Sequence, residues 1–386
     1  MLVPLANAPR DYPWGSTTLL ADLEGRTPSG VREAEVWFGD HPGSPARVPD
    51  GRTLGEWLAA EGADAGAPER LPYLLKLLAA ASPLSIQVHP SKSQAEEGFA
   101  REEAAGIPRD AAERLYRDDN HKPEVLVALS ETFTALAGLR DLDATRRLVA
   151  ALGAPAAPLA ARLAGADAAA ALSDTVAWLL SGEAAVDVAS VIAALPDADV
   201  PEFAAEISAV GRIAAAAPGD PGVVVALLMN LVTLRRGEAL FLPAGVLHAY
   251  LAGLGVELMS ASDNVMRGGL TPKHIDVGEL LGVLDPAPGL EPRLHPVALA
   301  EGLALFDAGV PDFSLLHAQV AGGAPVSAAL SGASIALVTA GELDVRGAAS
   351  GETRRLRPGQ AVLVTADEGT IEASGTGELF IAGPGR

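Results

Sequence analysis

The chain has no cysteine among its 386 residues. That absence excludes a disulfide framework, a thiol nucleophile and a thiolate metal site, so any metal must rest on histidine, carboxylate or amide donors. It also fits a cytoplasmic protein. Positive charge is scarce, with 28 basic residues against 49 acidic ones and a net charge of −21. A surface that acidic repels polyphosphate at long range, which argues against nucleic acid as a partner. Long apolar runs are lacking too. The segment Val223–Leu234 is too short to span a bilayer, and the start of the chain shows neither a basic leader nor a long apolar stretch. Neither export nor membrane insertion is expected.

Lysine is the rarest of the common cations here. Only Lys76, Lys92, Lys122 and Lys273 occur, and arginine serves everywhere else. All four fall in or beside the segments singled out below. An ammonium is a compact, titratable charge that guanidinium does not imitate, which suits phosphate contact or proton transfer.

What the chain does have is the composition of a soluble globular protein, 49% hydrophobic and 20% charged, and a length that accommodates two or three domains. Up to about Arg140, short β-like runs alternate with Gly and Pro. Asp141 to Ala217 is rich in Ala and Leu and reads as a helical insertion. A further helix is expected from the Pro218–Gly222 segment through Met229, after which strands resume at Leu231–Leu234 and Ala239–Leu242. A weak internal repeat pairs Leu234–Ala244 with Leu356–Ala366 at an offset of 122 residues, each copy with a glycine (Gly237, Gly359) placed for a tight turn before a strand. It implies two similar all-β units. His248 of the first aligns with Thr370 of the second, so a metal site is expected in the first unit only.

Four residues could converge on a metal. Gln87 and His89 are two apart in a β-like run and so share a face. Glu124 follows a stiffening proline, and His248 follows the Pro243-Ala-Gly245 turn. An amide oxygen, a carboxylate and two imidazoles suit Zn²⁺ and are open to Mn²⁺, Co²⁺ or Fe²⁺. The block from His248 to Lys273 adds Glu257, Asp263, Asn264 and Arg267, with a Gly pair that admits close backbone approach, a mixture suited to a phosphorylated or hydroxylated ligand. No phosphate loop, nucleophile elbow or dinucleotide fingerprint stands in a supporting context.

Several motifs together resemble the type I phosphomannose isomerase family of the cupin superfamily. They are Tyr12-Pro-Trp-Gly-Ser16, Glu33-Ala-Glu-Val-Trp37, Leu84-Ser-Ile-Gln-Val-His-Pro90, Asn120-His-Lys-Pro-Glu124, Phe133 to Arg140, Leu242-Pro-Ala-Gly245 with His248-Ala-Tyr250, and Ser262 to Lys273. The resemblance runs in matching order to about Val277, with a weaker cupin-like tail. Pro13 and Leu139 depart from the family's usual acidic and aromatic residues at those places. The resemblance implies a mainly β protein of cupin (jelly-roll) domains with a helical insertion, namely a metal-bearing domain split over residues 1–140 and 218–290, a helical insertion at 141–217 and a metal-free β domain at 291–386. It implies one Zn²⁺ held by Gln87, His89, Glu124 and His248, with Arg267 as catalytic arginine. Tyr250, Glu257, Lys122, His121 and Asp263 match further active-site positions, and Lys76, Ser85 and Lys92 fall where substrate or phosphate contacts are expected.

The implied reaction is reversible isomerisation of mannose 6-phosphate and fructose 6-phosphate by a cytoplasmic monomer. It passes through a cis-enediolate whose charge a metal and Arg267 would offset. Lys122, Glu257, Asp263 and a hydroxide on the metal remain alternative bases. Competing readings are an iron oxygenase of the same fold, against which Gln87 among the donors argues, a sugar-phosphate sensor without turnover, and an isomerase of another aldose.

Overall fold

In the computed structural model, which describes residues 1–385, one long strand organises the N-terminal two-thirds of the chain. The strands of this part are β2 (Glu35–Phe38), β3 (Tyr73–Ala80), β4 (Ile86–Val88), β5 (Glu124–Ala128), β6 (Thr132–Leu139), β7 (Met229–Arg235), β8 (Ala239–Leu242), β9 (His248–Ser260) and β10 (Met266–Gly269); β1 (Leu2–Leu5) lies elsewhere. The 13-residue β9 belongs to two sheets. Its second half pairs antiparallel with β3 and β5, extending to β2 and β8, while its first half pairs with β4 and β6, extending to β10 and β7. The switch comes at Gly253, whose φ of +130° favours glycine and where a Cβ would come within 2.6 Å of the Phe133 ring.

The two-residue period of these strands sorts their side chains into layers. Leu78, Leu126, Phe133, Ala135, Val232 and Leu240 form a core between the two sheets. Leu75, Leu77, Val125, Val127, Val256 and Leu258 point the other way, against Ile335, Leu337, Leu363 and Phe380 of the C-terminal unit. On the far side of the second sheet, Ile86, Val88, Leu136, Ala249 and Leu251 pack on the helices. All eight residues of β3 are buried because both faces of its sheet are covered.

Between β6 and β7 the chain is helical, with helices Leu142–Ala151, Ala157–Arg162, Ala168–Leu180, Ala185–Ala194 and Ala204–Ala216. Asp141 and Asp167 cap the first and third by accepting from Ala144 and Ala170 amides. The helix expected to run to Met229 is shorter, Gly222–Ala226, because the buried run Val223–Leu228 feeds directly into β7 at Met229. Among the described residues no single helix is long and apolar enough to cross a membrane; Ala168–Leu180 and Ala185–Asp197 pass such a test only as a pair bent by 100°.

The C-terminal unit repeats the device of a shared long strand, with 14-residue strands Ser334–Gly347 and Thr370–Gly383 at its centre. The repeat seen in the sequence is structural. Gly237 and Gly359 both adopt φ of +84° in turns that lead into strands, and His248 and Thr370 both begin the long strand that follows. Two segments depart from the expected boundaries. β1 pairs with Ala361–Val364 and so belongs to the C-terminal sheet rather than to the first domain, since its apolar Leu2 packs in the C-terminal core. Arg293–Leu294, placed beyond position 290, pairs instead with β8.

Arg236 ties the units together, donating to Glu378 Oε2 at 2.6 Å, while His317 and Thr339 contact the same carboxylate at 3.0 and 2.7 Å. Burial opposes ionisation of Glu378, but His317, Thr339 and Arg236 outweigh it and hold the carboxyl below its usual range. A depressed carboxyl contributes stability above its unfolded pKa and loses it as pH falls through the folded one. Glu378→Gln is therefore expected to cost about 1–3 kcal/mol at neutral pH, with the deficit shrinking in acid; denaturant titrations at pH 7 and pH 3 check it.

Candidate active site

Strand parity aims the expected metal donors into the space between the sheets. On β4, Ile86 and Val88 pack on the helices, so Gln87 faces inward, followed by His89. On β9, Ala249 and Leu251 do the same and turn His248 and Tyr250 inward. On β5, Val125 and Val127 face the C-terminal unit, which leaves Glu124 inside. Register completes the assembly, since Arg267, Gln87 and His248 stand side by side across β10, β4 and β9.

The three ionisable donors meet at full burial: His89, Glu124 and His248 are 1%, 2% and 1% exposed. His89 Nε2 lies 3.2 Å from Glu124 Oε1, and His248 Nε2 lies 3.6 Å from Glu124 Oε2. Both rings are fixed from behind. His89 Nδ1 lies 2.7 Å from the Asn264 carbonyl and His248 Nδ1 lies 2.9 Å from the Val246 carbonyl. Because a carbonyl only accepts, each Nδ1 carries the proton and each Nε2 presents a lone pair. Neither Nε2 has a hydrogen-bond partner. Two buried lone pairs facing a carboxylate are a donor set for a divalent cation. Charge agrees, as burial, with the Lys122 ammonium nearby, pushes the His89 imidazole down to about 4. Burial resists ionisation of Glu124, but Lys122, at 3.4 Å from Oε1, prevails and holds its carboxyl well below the usual range. His89 and Glu124 are therefore in the ligating form at neutral pH.

Asn264 is a hub that local sequence does not reveal. Besides holding His89 through its carbonyl, it accepts from the Arg117 and Asp118 amides and donates to the Asp118 and Asn120 carbonyls. It thus pins the loop leading to Lys122 and Glu124.

A cavity of about 1250 Å³ opens over the donors. Of the residues singled out in the sequence, Gln87, Glu124, Lys122, Tyr250, Glu257, Asp263, Arg267, Lys76 and Ser85 line it. Tyr250 donates to Glu124 Oε2 at 3.3 Å, and burial raises its pKa. Lys76 is not free for a phosphate. It donates to Glu257 Oε2 at 2.8 Å with Glu35 at 3.8 Å, and these carboxylates overcome burial and keep it protonated. Burial raises the pKa of Glu257, with Glu124 and Glu35 adding to the effect against the pull of Lys76. Asp263 meets His41 Nε2 at 3.3 Å; burial resists its ionisation, yet His41 and Lys122 hold its pKa below the usual range.

Four expected residues do not line the cavity wall, the buried metal donors His89 and His248 and, away from them, His121 and Lys92. His121 Nε2 sits 2.8 Å from Asp312 Oδ2 of the C-terminal unit, which takes the imidazole away from the metal donors. Lys92, in the first turn of helix Lys92–Ala104, donates to the Asp119 carbonyl at 2.8 Å and has Glu96 at 3.6 Å, so its charge is answered locally.

Five cations face the cavity without a carboxylate in salt-bridge contact among the described residues: Arg10 and Arg32, which donate to the Gly43 and Pro13 carbonyls, and Arg117, Arg267 and Lys273. Burial lowers the pKa of Arg267 and of Lys273; Arg267 feels the positive charge of Arg117, and Lys273 that of both, so these three lie near one another. Three cations held near one another make an anion site. Lys273 was conspicuous as a rare lysine; Arg117 carries no signal in its neighbourhood and needed the tertiary structure.

Comparison with known proteins agrees with this geometry. Residues 2–142 match the family model described as phosphomannose isomerase type I, catalytic domain. The chain is 38% identical over 400 residues to the mannose-6-phosphate isomerase of Salmonella typhimurium, covering 97% of each, and 36% identical over 397 residues to that of Escherichia coli, again covering 97% of each. Its fold superposes with a TM-score of 0.90 at 36% identity, covering 100% of both chains, on a zinc-bound mannose 6-phosphate isomerase and on the Salmonella typhimurium enzyme bound to fructose 6-phosphate and zinc.

Removing one imidazole should disarm the metal centre without unfolding the sheets. His248→Ala is expected to lose stoichiometric divalent metal by elemental analysis while keeping its far-UV circular dichroism.

Proposed function

The chain belongs to the type I phosphomannose isomerases, and from that membership together with the donor set we infer that it interconverts D-mannose 6-phosphate and D-fructose 6-phosphate with one zinc ion held by Gln87, His89, Glu124 and His248. The observation that carries the ligand assignment is the pair of buried, partnerless Nε2 atoms facing the Glu124 carboxylate. Gln87 lies cross-strand from His248 and lines the same cavity as Glu124, which supports it as the fourth donor. Zinc bound there supplies a Lewis acid that polarises an oxygen of the sugar.

The chain's own residues account for the rest. In the aldose-to-ketose direction one proton leaves C2 and one arrives at C1, while the hydroxyl proton on O2 is given up and O1 gains one. Negative charge builds on the two oxygens of the enediolate between these steps, and Arg267, beside Gln87 in the strand register, offsets it. Two carboxylates that open on the cavity are available to carry the carbon-bound proton, Asp263, ionised beside His41, and Glu257, bound by Lys76. A positioned base of this kind contributes about 10²–10⁴-fold. Tyr250 and Lys122 hold Glu124 in place and charge. The phosphate rests among Arg117, Arg267 and Lys273, with Ser85 on the same wall, so that binding energy remote from the reacting carbons orients the sugar. Lys92 and His121 take no part at the reacting atoms.

A net charge of −21, no helix able to cross a bilayer among the described residues and few large exposed apolar side chains support a cytoplasmic monomer that acts on a small molecule, without nucleic acid or membrane.

Arg267→Ala should retain zinc and lose about 10²–10³-fold in kcat, read in a coupled assay; full turnover would remove the arginine from its role. Chelation should abolish activity and added zinc restore it. Lys273→Ala should raise KM for mannose 6-phosphate about tenfold, with no matching loss of affinity for unphosphorylated sugar analogues in a competition assay.

A further inference from the structure

Just after the helical insertion, one carboxylate grips the cavity wall without lining the cavity itself. Asp220 sits in the Pro218–Gly222 segment, after helix Ala204–Ala216 and before helix Gly222–Ala226. The Gly222 amide donates to its Oδ1 at 2.7 Å, as in an ordinary turn. The same Oδ1 accepts from the Leu270 amide at 2.9 Å and Oδ2 accepts from the Thr271 amide at 3.2 Å, both about 50 residues on in the chain. A carboxylate spent only on capping its own helix would not bridge two distant segments.

The segment it grips is one that does not hold its shape unaided. Leu270 has a φ of +57°, the one non-glycine residue with a positive value among those described, in a region L side chains rarely adopt. Such a conformation persists only where the surroundings impose it. Beside it Gly269 and Gly222 pack backbone to backbone, so that a Cβ on Gly222 would lie 2.7 Å from the Leu270 nitrogen and one on Gly269 would lie 2.5 Å from the Gly222 Cα. Leu270, Thr271, Pro272 and Lys273 line the cavity, as do Ala216 and Ala217 from the insertion; Asp220 does not.

We propose that Asp220 is a positioning residue for phosphate binding: by clamping the Leu270 and Thr271 amides it fixes where Lys273 stands relative to Arg267 and Arg117, and so couples the helical insertion to the affinity of the anion end of the site. This rests on the assignment of those three cations to the phosphate. The carboxylate satisfies three amide donors that would otherwise compete for other partners, and amide bonds to a charged acceptor are the stronger kind. Because misplacement of a binding group by about 1 Å costs up to about 10²-fold, loosening the clamp acts on recognition and leaves the metal donors, which lie on other strands, in place.

The test uses the zinc-replete full chain and inorganic phosphate as the probe. Asp220→Ala is expected to raise KM for mannose 6-phosphate and the inhibition constant of inorganic phosphate by the same factor, about tenfold, with kcat changed less and zinc content full. Asp220→Asn, which keeps one acceptor oxygen, should fall between, and Gly222→Ala, which forces the two backbones apart while leaving the carboxylate, should reproduce the effect. The Asn and Gly222 variants carry the test if the Ala variant does not fold. Unchanged KM and phosphate inhibition in folded, zinc-loaded variants would overturn the proposal, as would a fall in kcat and melting temperature with no selective loss of phosphate affinity. Lys273→Ala separates the two levels. If it raises KM while the Asp220 variants do not, the clamp is wrong and the anion site stands; if it leaves KM unchanged and phosphate does not inhibit, the anion site is wrong and the clamp falls with it.

Discussion

Everything at this site depends on one electrostatic conflict, two imidazole lone pairs and a carboxylate forced together where all three groups are buried. Left alone, His89 Nε2, His248 Nε2 and Glu124 would repel, and burial of such groups without a partner is costly. The carbonyls of Asn264 and Val246 prevent the simple escape, in which a ring would turn its N–H toward the carboxylate. A divalent cation removes the conflict at a stroke. The fold is the apparatus that holds the conflict in place until a cation arrives.

The apparatus is the shared strand β9. Because its two halves sit in different sheets, one continuous segment delivers His248 and Tyr250 to one wall and Glu257 to the other. Its neighbours bring Gln87, Glu124 and Lys76 by register alone. The C-terminal unit and the helices cover the outer faces, and that coverage is what commits the opposite face of each strand to the interior. The second unit keeps the same turn and long strand but has Thr370 where the first has His248, so among the described residues only the first has gathered a metal donor set.

Charge within the chain is partitioned rather than averaged. A protein with a net charge of −21 lines part of one cavity with Arg117, Arg267 and Lys273 and answers Glu257 with Lys76 and the metal donor Glu124 with Lys122. Long-range repulsion of anions falls off within about 10 Å in salt, so close contacts decide what binds. Arg117, Arg267 and Lys273 face the cavity with no carboxylate in salt-bridge contact, whereas Lys92 is matched by acidic neighbours where it stands.

Local sequence carried much of this. Residue type and two-residue spacing marked Gln87 with His89, proline and glycine marked the turns before Glu124 and His248, and a glycine in a repeated context marked the relation between the two β units. The motif blocks marked Arg267 and Asp263 as well. These are properties of short segments, and the physics that makes them legible, strand alternation and turn chemistry, acts over a few residues. Tertiary structure alone decided which cations remained unpaired. Lys76, Lys92 and Lys122 are alike as sequence, yet one is bound by Glu257, one by Asp119 and its helix, and one lies on Glu124. His121 and Lys122 are neighbours in the chain and part company in space, one to Asp312 and one to the cavity. Arg117, the hub role of Asn264, the Asp220 clamp and the placement of β1 in the C-terminal sheet all rest on partners far away in sequence. The chain alone determined which chemistry was available, because that depends on residue type and local geometry; the fold decided which groups were free to perform it, because a charge is answered by whatever lies nearest in space.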